Sequence, residues 1–432
     1  MSFDKDNYLK RIVDERVNEY MQLFGAILIE GPKWCGKTWT SLYHSKSVVY
    51  LLDPTGDYSN KKLALLNPSL ILSGEFPRVI DEWQEVPGIW DAVRHNVDQT
   101  PGYGQYILTG SATPPKESYS HSGAGRIATI RMRPMTLFES SDSSGSISLI
   151  DIINRKRFDP FIAEINLLHL INITIRGGWP ETLNLPLLKA GKVSVEYINA
   201  IVNNELFRDD QAKKNQIKLR RLLRSLARNN TTTASIKTLT MDIDGSERQD
   251  QSVEEINISR DSVVDYIKDL KEIFVIDELP PWNPEIRSKT IMRQAVKRIF
   301  IDPSLAIAAL NLNSERLLYD LNTFGFMFEN LCLRDLSVYT DSYGGNLYHY
   351  HDNSDLEVDA IIEMPDGTWS AFEIKLGEDQ VEEAAGTLLR MKRKMIDAKA
   401  PPPACLAVIT GGGIARIRDD GIYVIPINAL KN

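Results

Sequence analysis

The residues Ala26-Ile27-Leu28-Ile29-Glu30-Gly31-Pro32-Lys33-Trp34-Cys35-Gly36-Lys37-Thr38 run from an apolar stretch into the pattern G-x-x-x-x-G-K-T. That pattern suits the binding of phosphate. Gly31 and Gly36 permit a turn tight enough to aim backbone N–H groups inward, and Pro32, Lys33, Trp34 and Cys35 form the turn between them. Lys37 brings a point charge to β- and γ-phosphates, and the Thr38 hydroxyl is a Mg²⁺ ligand at the start of the next helix. ATP with Mg²⁺ is the cofactor this implies.

A second chemical signal follows in Pro77-Arg78-Val79-Ile80-Asp81-Glu82-Trp83, an apolar strand ending in two acids. Asp81 is expected to hold Mg²⁺ through water, and Glu82 to orient and deprotonate an attacking water. Gln105-Tyr106-Ile107-Leu108-Thr109-Gly110-Ser111 is a further buried strand with hydroxyls at its exit. Thr109 or Ser111 would sense the γ-phosphate there, and a plain strand-to-turn exit accounts for the same residues. These groups together read as an ATP hydrolase.

The last hundred residues carry another set. Glu329 lies on an expected helix, Asp359 inside a strand, and Glu373 and Lys375 share one face of the strand Trp369-Ser370-Ala371-Phe372-Glu373-Ile374-Lys375. An acid followed by E-x-K across a hairpin step is the layout of restriction-endonuclease-like nucleases. Asp359 and Glu373 would ligate Mg²⁺ or Mn²⁺, both hard cations that prefer oxygen. Glu329 would join as an outer ligand, and Lys375 would activate water and offset charge on a scissile phosphate. His349 and His351 lie on one strand and read as structural.

These groups need several elements to position them. A chain of 432 residues exceeds one ordinary core, so two or three domains are expected. Strands alternating with helices up to about residue 132 imply an α/β parallel sheet covered on both faces. The stretch Ser140-Ser141-Asp142-Ser143-Ser144-Gly145-Ser146 reads as a linker, which ends the ATPase domain at 1–140. A helical segment at 149–215, broken by Arg176-Gly177-Gly178-Trp179-Pro180, precedes a winged-helix-like domain at 216–302 and the nuclease-like domain at 303–432. In the winged-helix part, helices are expected near 218–228 and 234–243. A third, capped by Ser259, would bury Val263, Val264, Ile267 and Leu270. Wing strands fall at 274–276 and 299–301, with Arg287, Lys289, Arg293, Lys297 and Arg298 at the wing tip.

The net charge of −8 excludes a body coated in basic surface, so contact with DNA or RNA would need local patches. Three scattered cysteines have no metal-type spacing and suit a reducing compartment. With no signal peptide and no run long enough to span a membrane, a cytoplasmic protein is expected.

The whole chain resembles a bacterial and archaeal family of AAA-like P-loop ATPases with a C-terminal domain of uncharacterised function. The resemblance rests on Gly31 to Thr38, Val79-Ile80-Asp81-Glu82, Leu108-Thr109-Gly110-Ser111, and Gly125-Arg126 followed by Arg133-Pro134-Met135-Thr136-Leu137-Phe138-Glu139. It continues through Gly177-Gly178-Trp179-Pro180, Phe328-Glu329-Asn330, Glu357-Val358-Asp359 and Phe372-Glu373-Ile374-Lys375. It implies ATP hydrolysis, a winged-helix middle and a nuclease-like C-terminal domain, with Arg126 near the γ-phosphate as a sensor or finger. Two functions follow: ATP-controlled processing of nucleic acid, or an ATP-driven switch that recognises a protein partner and carries an inactive nuclease-like domain.

Overall fold

The computed structural model describes residues 4–112, 122–205, 212–245, 258–283 and 295–432. Contacts divide the chain into two compact units, Met1–Pro134 with Glu272–Phe274, and Met135–Lys271 with Val275–Asn432.

The first unit alternates helix and strand. Its elements are α1 (Val13–Leu23), β1 (Ala26–Glu30), α2 (Lys37–Tyr43), β2 (Ser47–Tyr50), α3 (Ser59–Leu66), β3 (Arg78–Asp81), α4 (Gly88–Gln99), β4 (Tyr106–Gly110) and β5 (Ile127–Arg131). Among the described residues these strands form one five-stranded sheet in the order β2-β3-β4-β1-β5, and every pair is parallel. A sheet covered on both faces wants apolar residues at consecutive positions, and all five residues of β4 are buried. Ile80, Leu108, Trp83, Trp90 and Val93 pack in the core on one side of it. Because β4 separates β1 from β3, its carboxyl end stands between the phosphate loop and the paired acids. Ligands of open α/β sheets bind at that edge.

The second unit begins with β6 (Ile147–Ser148), α5 (Leu149–Ile153), β7 (Phe161–Ala163), α6 (Leu167–Arg176) and α7 (Leu187–Ala200). It continues with α8 (Ala212–Arg228), α9 (Ile236–Gly245), α10 (Arg260–Glu272), β8 (Ile276–Leu279) and β9 (Lys297–Phe300). The remainder is α11 (Pro303–Ala309), α12 (Ser314–Tyr319), α13 (Leu321–Ser342), β10 (Asn346–His351), β11 (Glu357–Glu363), β12 (Trp369–Lys375), α14 (Val381–Asp397), β13 (Leu406–Thr410), β14 (Gly413–Ile417), β15 (Tyr423–Pro426) and β16 (Leu430–Lys431). Seven strands make a mixed sheet in the order β10-β11-β12-β13-β15-β14-β7. The β10-β11-β12 ladder is antiparallel, whereas β12 and β13, joined through α14, are parallel. Val381, Ala384, Leu388 and Met391 of α14 pack in one core with Val358, Ile361 and Val408 of the sheet. The helical period of those four residues produces that stripe.

Several segments differ in the structure from their sequence-based reading. The Ser-rich stretch is not a linker but a folded turn of the second unit. Ser143 Oγ donates to Leu430 O at 2.7 Å, Ser144 N donates to Asn428 O at 2.8 Å, and Asp142 pairs with Arg176. The segment 149–215 is not purely helical, because β7 pairs with β14 at the edge of the seven-stranded sheet. Of the α10 positions expected inside, Val263, Ile267 and Leu270 are buried, but Val264 is exposed. The wing strands start later than expected on the first side, since Phe274 has φ +59° and cannot extend a strand. Wing-tip residues Arg287, Lys289 and Arg293 lie outside the described residues.

Candidate functional site: a phosphate loop and a carboxylate–lysine cluster

The phosphate loop leaves β1 and enters α2. Gly31 has φ +154°, and a Cβ there would lie 2.1 Å from Met132 O, so no larger residue fits. Gly36 has φ +104° and supplies the left-handed N-cap of α2. Lys37 Nζ donates to Pro32 O at 2.7 Å, which places the ammonium inside the curl of the loop. Lys33 and Trp34 lie exposed on its outer side, and the Cys35 side chain is fully buried, inert packing rather than a reactive thiol.

The loop has a support that the sequence did not reveal. Arg11, itself buried, donates from NH1 to Cys35 O at 2.7 Å and from NH2 to Arg133 O at 2.9 Å. One guanidinium therefore ties the loop to the chain leaving β5. An isolated arginine before a helix carries no local signal of that role.

The acids are equally well placed. Thr38 Oγ1 donates to Asp81 Oδ1 at 2.9 Å, which joins the two expected Mg²⁺ groups across adjacent elements. Burial raises the Asp81 carboxyl above the usual range, against the pull of hydrogen bonds from Thr109 and Thr38. Thr109 differs from expectation. Its hydroxyl donates to Asp81 Oδ1 at 2.7 Å and accepts from Glu82 N at 3.0 Å, so it is committed to the acids rather than free to sense phosphate. Glu82 has φ +57°, an uncommon conformation for a non-glycine residue. Its Oε2 accepts from Ser111 Oγ at 2.9 Å and from Gln84 Nε2. Gln84 was not foreseen; its only signal is its place two residues after the acid. An oxygen pair on a curl of backbone N–H groups fits a nucleotide phosphate with its hard cation.

Arg126 is the clear correction in this unit. The parallel register pairs Ala26 with Ile127, and Arg126 O accepts from Ala26 N at 3.1 Å. Arg126 therefore sits at the amino edge of the sheet, about 17 Å from the loop at ~3.3 Å per strand residue. Its Nε bonds Asp98 on α4 at 2.8 Å, so it neither senses nor fingers the γ-phosphate of this chain.

In the second unit, the expected C-terminal residues do converge. Lys375 Nζ lies 2.7 Å from Glu373 Oε2 and 3.2 Å from Asp359 Oδ2, and the latter also accepts from Ile374 N at 2.8 Å. Glu329 of α13 accepts from Thr231 Oγ1 at 3.0 Å. The surprise is Lys297. Expected at the tip of the wing, it is instead buried, with Nζ 2.9 Å from Glu329, 3.3 Å from Glu357 and 3.9 Å from Asp359. Burial disfavours its charge, yet the Glu329, Asp359 and Glu357 carboxylates hold the ammonium above its ordinary range. Burial and the Asp359 charge push Glu373 up to about 8. No group of three His, Cys, Asp or Glu side chains able to hold a metal occurs among the described residues. The expected metal set of Glu329, Asp359 and Glu373 is instead in contact with two lysines, Lys297 and Lys375. Arg298 is also used internally, with NH1 on Ala234 O at 2.8 Å and Nε 3.3 Å from Glu278. His349 is buried with Nε2 against Ala295 O, and burial with the Lys297 charge lowers it to about 4, so it is a neutral structural group.

The model of an AAA domain matches residues 24–141. The first unit is thus similar to AAA-type ATPase domains, a likeness that supports ATP binding. Two domains of unknown function, DUF8612 and DUF4143, match residues 168–316 and 324–430. Uncharacterized proteins of Mycobacterium bovis and Mycobacterium tuberculosis are each 22% identical over 373 residues, covering 85% of this chain and 74% of their own. The chain is also similar to the Walker-type ATPase of Pyrococcus abyssi, at 13% identity and TM-score 0.40 over 71% of this chain and 97% of that one. AMPPCP-bound DnaA from Aquifex aeolicus gives 12% identity and TM-score 0.28 over 62% and 91%. Among the described residues no helix is long and apolar enough to cross a membrane.

Proposed function

We propose that this chain is a Mg²⁺-dependent ATP hydrolase whose nucleotide cycle governs a nuclease-like second unit that handles nucleic acid. The hydrolase reading is carried by the Thr109 hydroxyl, which bonds Asp81 and the Glu82 N–H together and so orders the two acids beside the loop. Lys37, Thr38 and Asp81 would hold the Mg²⁺–nucleotide, and the ion would supply charge neutralisation and Lewis acidity at the γ-phosphate. Lys37 adds positive charge where negative charge develops, and Glu82 takes a proton from the attacking water. Lys37→Ala should weaken ATP binding by roughly a hundredfold, because a charge-assisted contact is lost in a partly desolvated site. Calorimetry with ATP and Mg²⁺ checks this; unchanged affinity would remove Lys37 from the site.

The nuclease-like reading is supported by the helix–strand order α13, β10, β11, β12, α14, β13, with Asp359 and Glu373-x-Lys375 meeting on adjacent strands. A second reading, an ATP-driven switch that engages a protein partner, is favoured by the lysines that already pair with the cluster's carboxylates. Purified protein with ATP, Mn²⁺ and mixed DNA and RNA separates them. Cleavage lost in Lys375→Ala supports the first reading; neither binding nor cleavage supports the second.

A further inference from the structure

Alternation along β9 sends Lys297 and Ile299 to the buried face, and both are at most 3% exposed. A lysine so deeply buried is tolerated only where carboxylates offset the loss of hydration. Lys297 finds three of them on two elements: Glu329 on α13, and Glu357 and Asp359 on β11. The spacing is that of an ammonium, with the nearest oxygen at 2.9 Å and the Asp359 oxygen at 3.9 Å. A divalent cation would need oxygens at about 2.0–2.6 Å. Lys375 occupies the other side of Asp359, bonded to its second oxygen and to Glu373. Every carboxylate of the expected metal set therefore has a lysine as its counter-ion.

We infer that Lys297, together with Lys375, takes the place of a metal ion among these carboxylates, so that the cluster is a metal-independent ionic lock between the β8–β9 hairpin and the seven-stranded sheet. The hairpin is one antiparallel pair, Leu279 opposite Lys297, and its second strand bridges Thr232 through Arg298. The next residue back, Thr231, bonds Glu329 from the same side. The lock thus ties the winged-helix-like elements to the carboxylates beside the E-x-K strand through side chains clustered at one end of a short strand pair. It does not rest on the ATPase reading, and it favours the protein-switch reading of the second unit over metal-dependent cleavage.

Mn²⁺ titration of the nucleotide-free full chain tests the lock, with calorimetry and thermal melting as readouts. The wild type should show no saturable Mn²⁺ binding that Asp359→Asn removes. Lys297→Met should melt lower, should bind Mn²⁺ at least ~tenfold more tightly than wild type, and should regain melting temperature as Mn²⁺ is added. Adding Asp359→Asn to Lys297→Met should abolish both gains. Asp359-dependent Mn²⁺ binding in the wild type would overturn the inference, as would a folded Lys297→Met with no gain. If Lys297→Met does not fold, the wild-type and Asp359→Asn titrations decide alone. ATP hydrolysis, measured separately, fails or succeeds without bearing on this outcome.

Discussion

Glu82→Gln should bind ATP at close to wild-type affinity and hydrolyse it on the order of a hundredfold more slowly, the usual loss for removing a general base. The substitution keeps the size of the side chain and leaves the backbone bond from Glu82 N to Thr109 Oγ1 intact. Asp81, Thr38 and Lys37 are therefore undisturbed, so binding is spared. What disappears is a carboxylate already aimed by Ser111 and Gln84. Steady-state kcat beside nucleotide Kd checks this, because a base contributes to the chemical step and not to ground-state binding. A kcat equal to wild type would move the base elsewhere; a matching loss of affinity would make Glu82 a binding residue. Thr109→Val should resemble Glu82→Gln less closely, since it frees both acids at once and deprives Asp81 of its shortest hydrogen bond, at 2.7 Å.

The phosphate loop and its acids were legible because their signals are local. A strand's apolar run, a glycine spacing and an acid at a strand end are each confined to a dozen residues. The helix frame of the second unit was legible for the same reason. What escaped depends on register and on distant partners. The family resemblance places Arg126 near the γ-phosphate, yet one parallel pairing, Ala26 with Ile127, carries it to the far edge of the sheet. Lys297 reads as one wing-tip charge among others, and only the folded chain reveals its carboxylates on α13 and β11. The serines of 140–146 have the composition of a linker, but Ser143 finds its partner in Leu430 at the other end of the chain. Arg11 holds the loop by backbone carbonyls, which every residue possesses and no pattern advertises.

The same logic explains Gly177-Gly178-Trp179-Pro180, a turn that exists to meet Asp302. Asp302 is fully buried; its Oδ2 accepts from Gly178 N at 2.9 Å and from Arg334 NH1 at 2.8 Å, while Oδ1 caps α11 through Ser304 N at 2.9 Å. Gly177 has φ +75°, and a Cβ there would come within 2.4 Å of Ser304 Oγ, which accepts from the Trp179 indole at 3.0 Å. Arg334 continues to Asp335 at 2.8 Å, whose other oxygen receives Leu137 N at 2.9 Å. Asp302→Ala should therefore cost about 3–5 kcal/mol, since a buried guanidinium loses a partner and helix α11 loses its cap. Urea unfolding followed by the signal of buried Trp179 measures it. The exposed pair Lys62–Asp57 is the control, and Lys62→Ala should change stability by less than about 1 kcal/mol. Asp302→Ala combined with Arg334→Met should be less damaging than the sum of the single changes, because Arg334→Met alone leaves the buried carboxylates of both Asp302 and Asp335 without their counter-ion, and the double change leaves only Asp335 so. A full sum would show that Arg334 is held by Asp335 alone, and that the Gly-Gly turn docks on Asp302 for its hydrogen bonds and not for its charge.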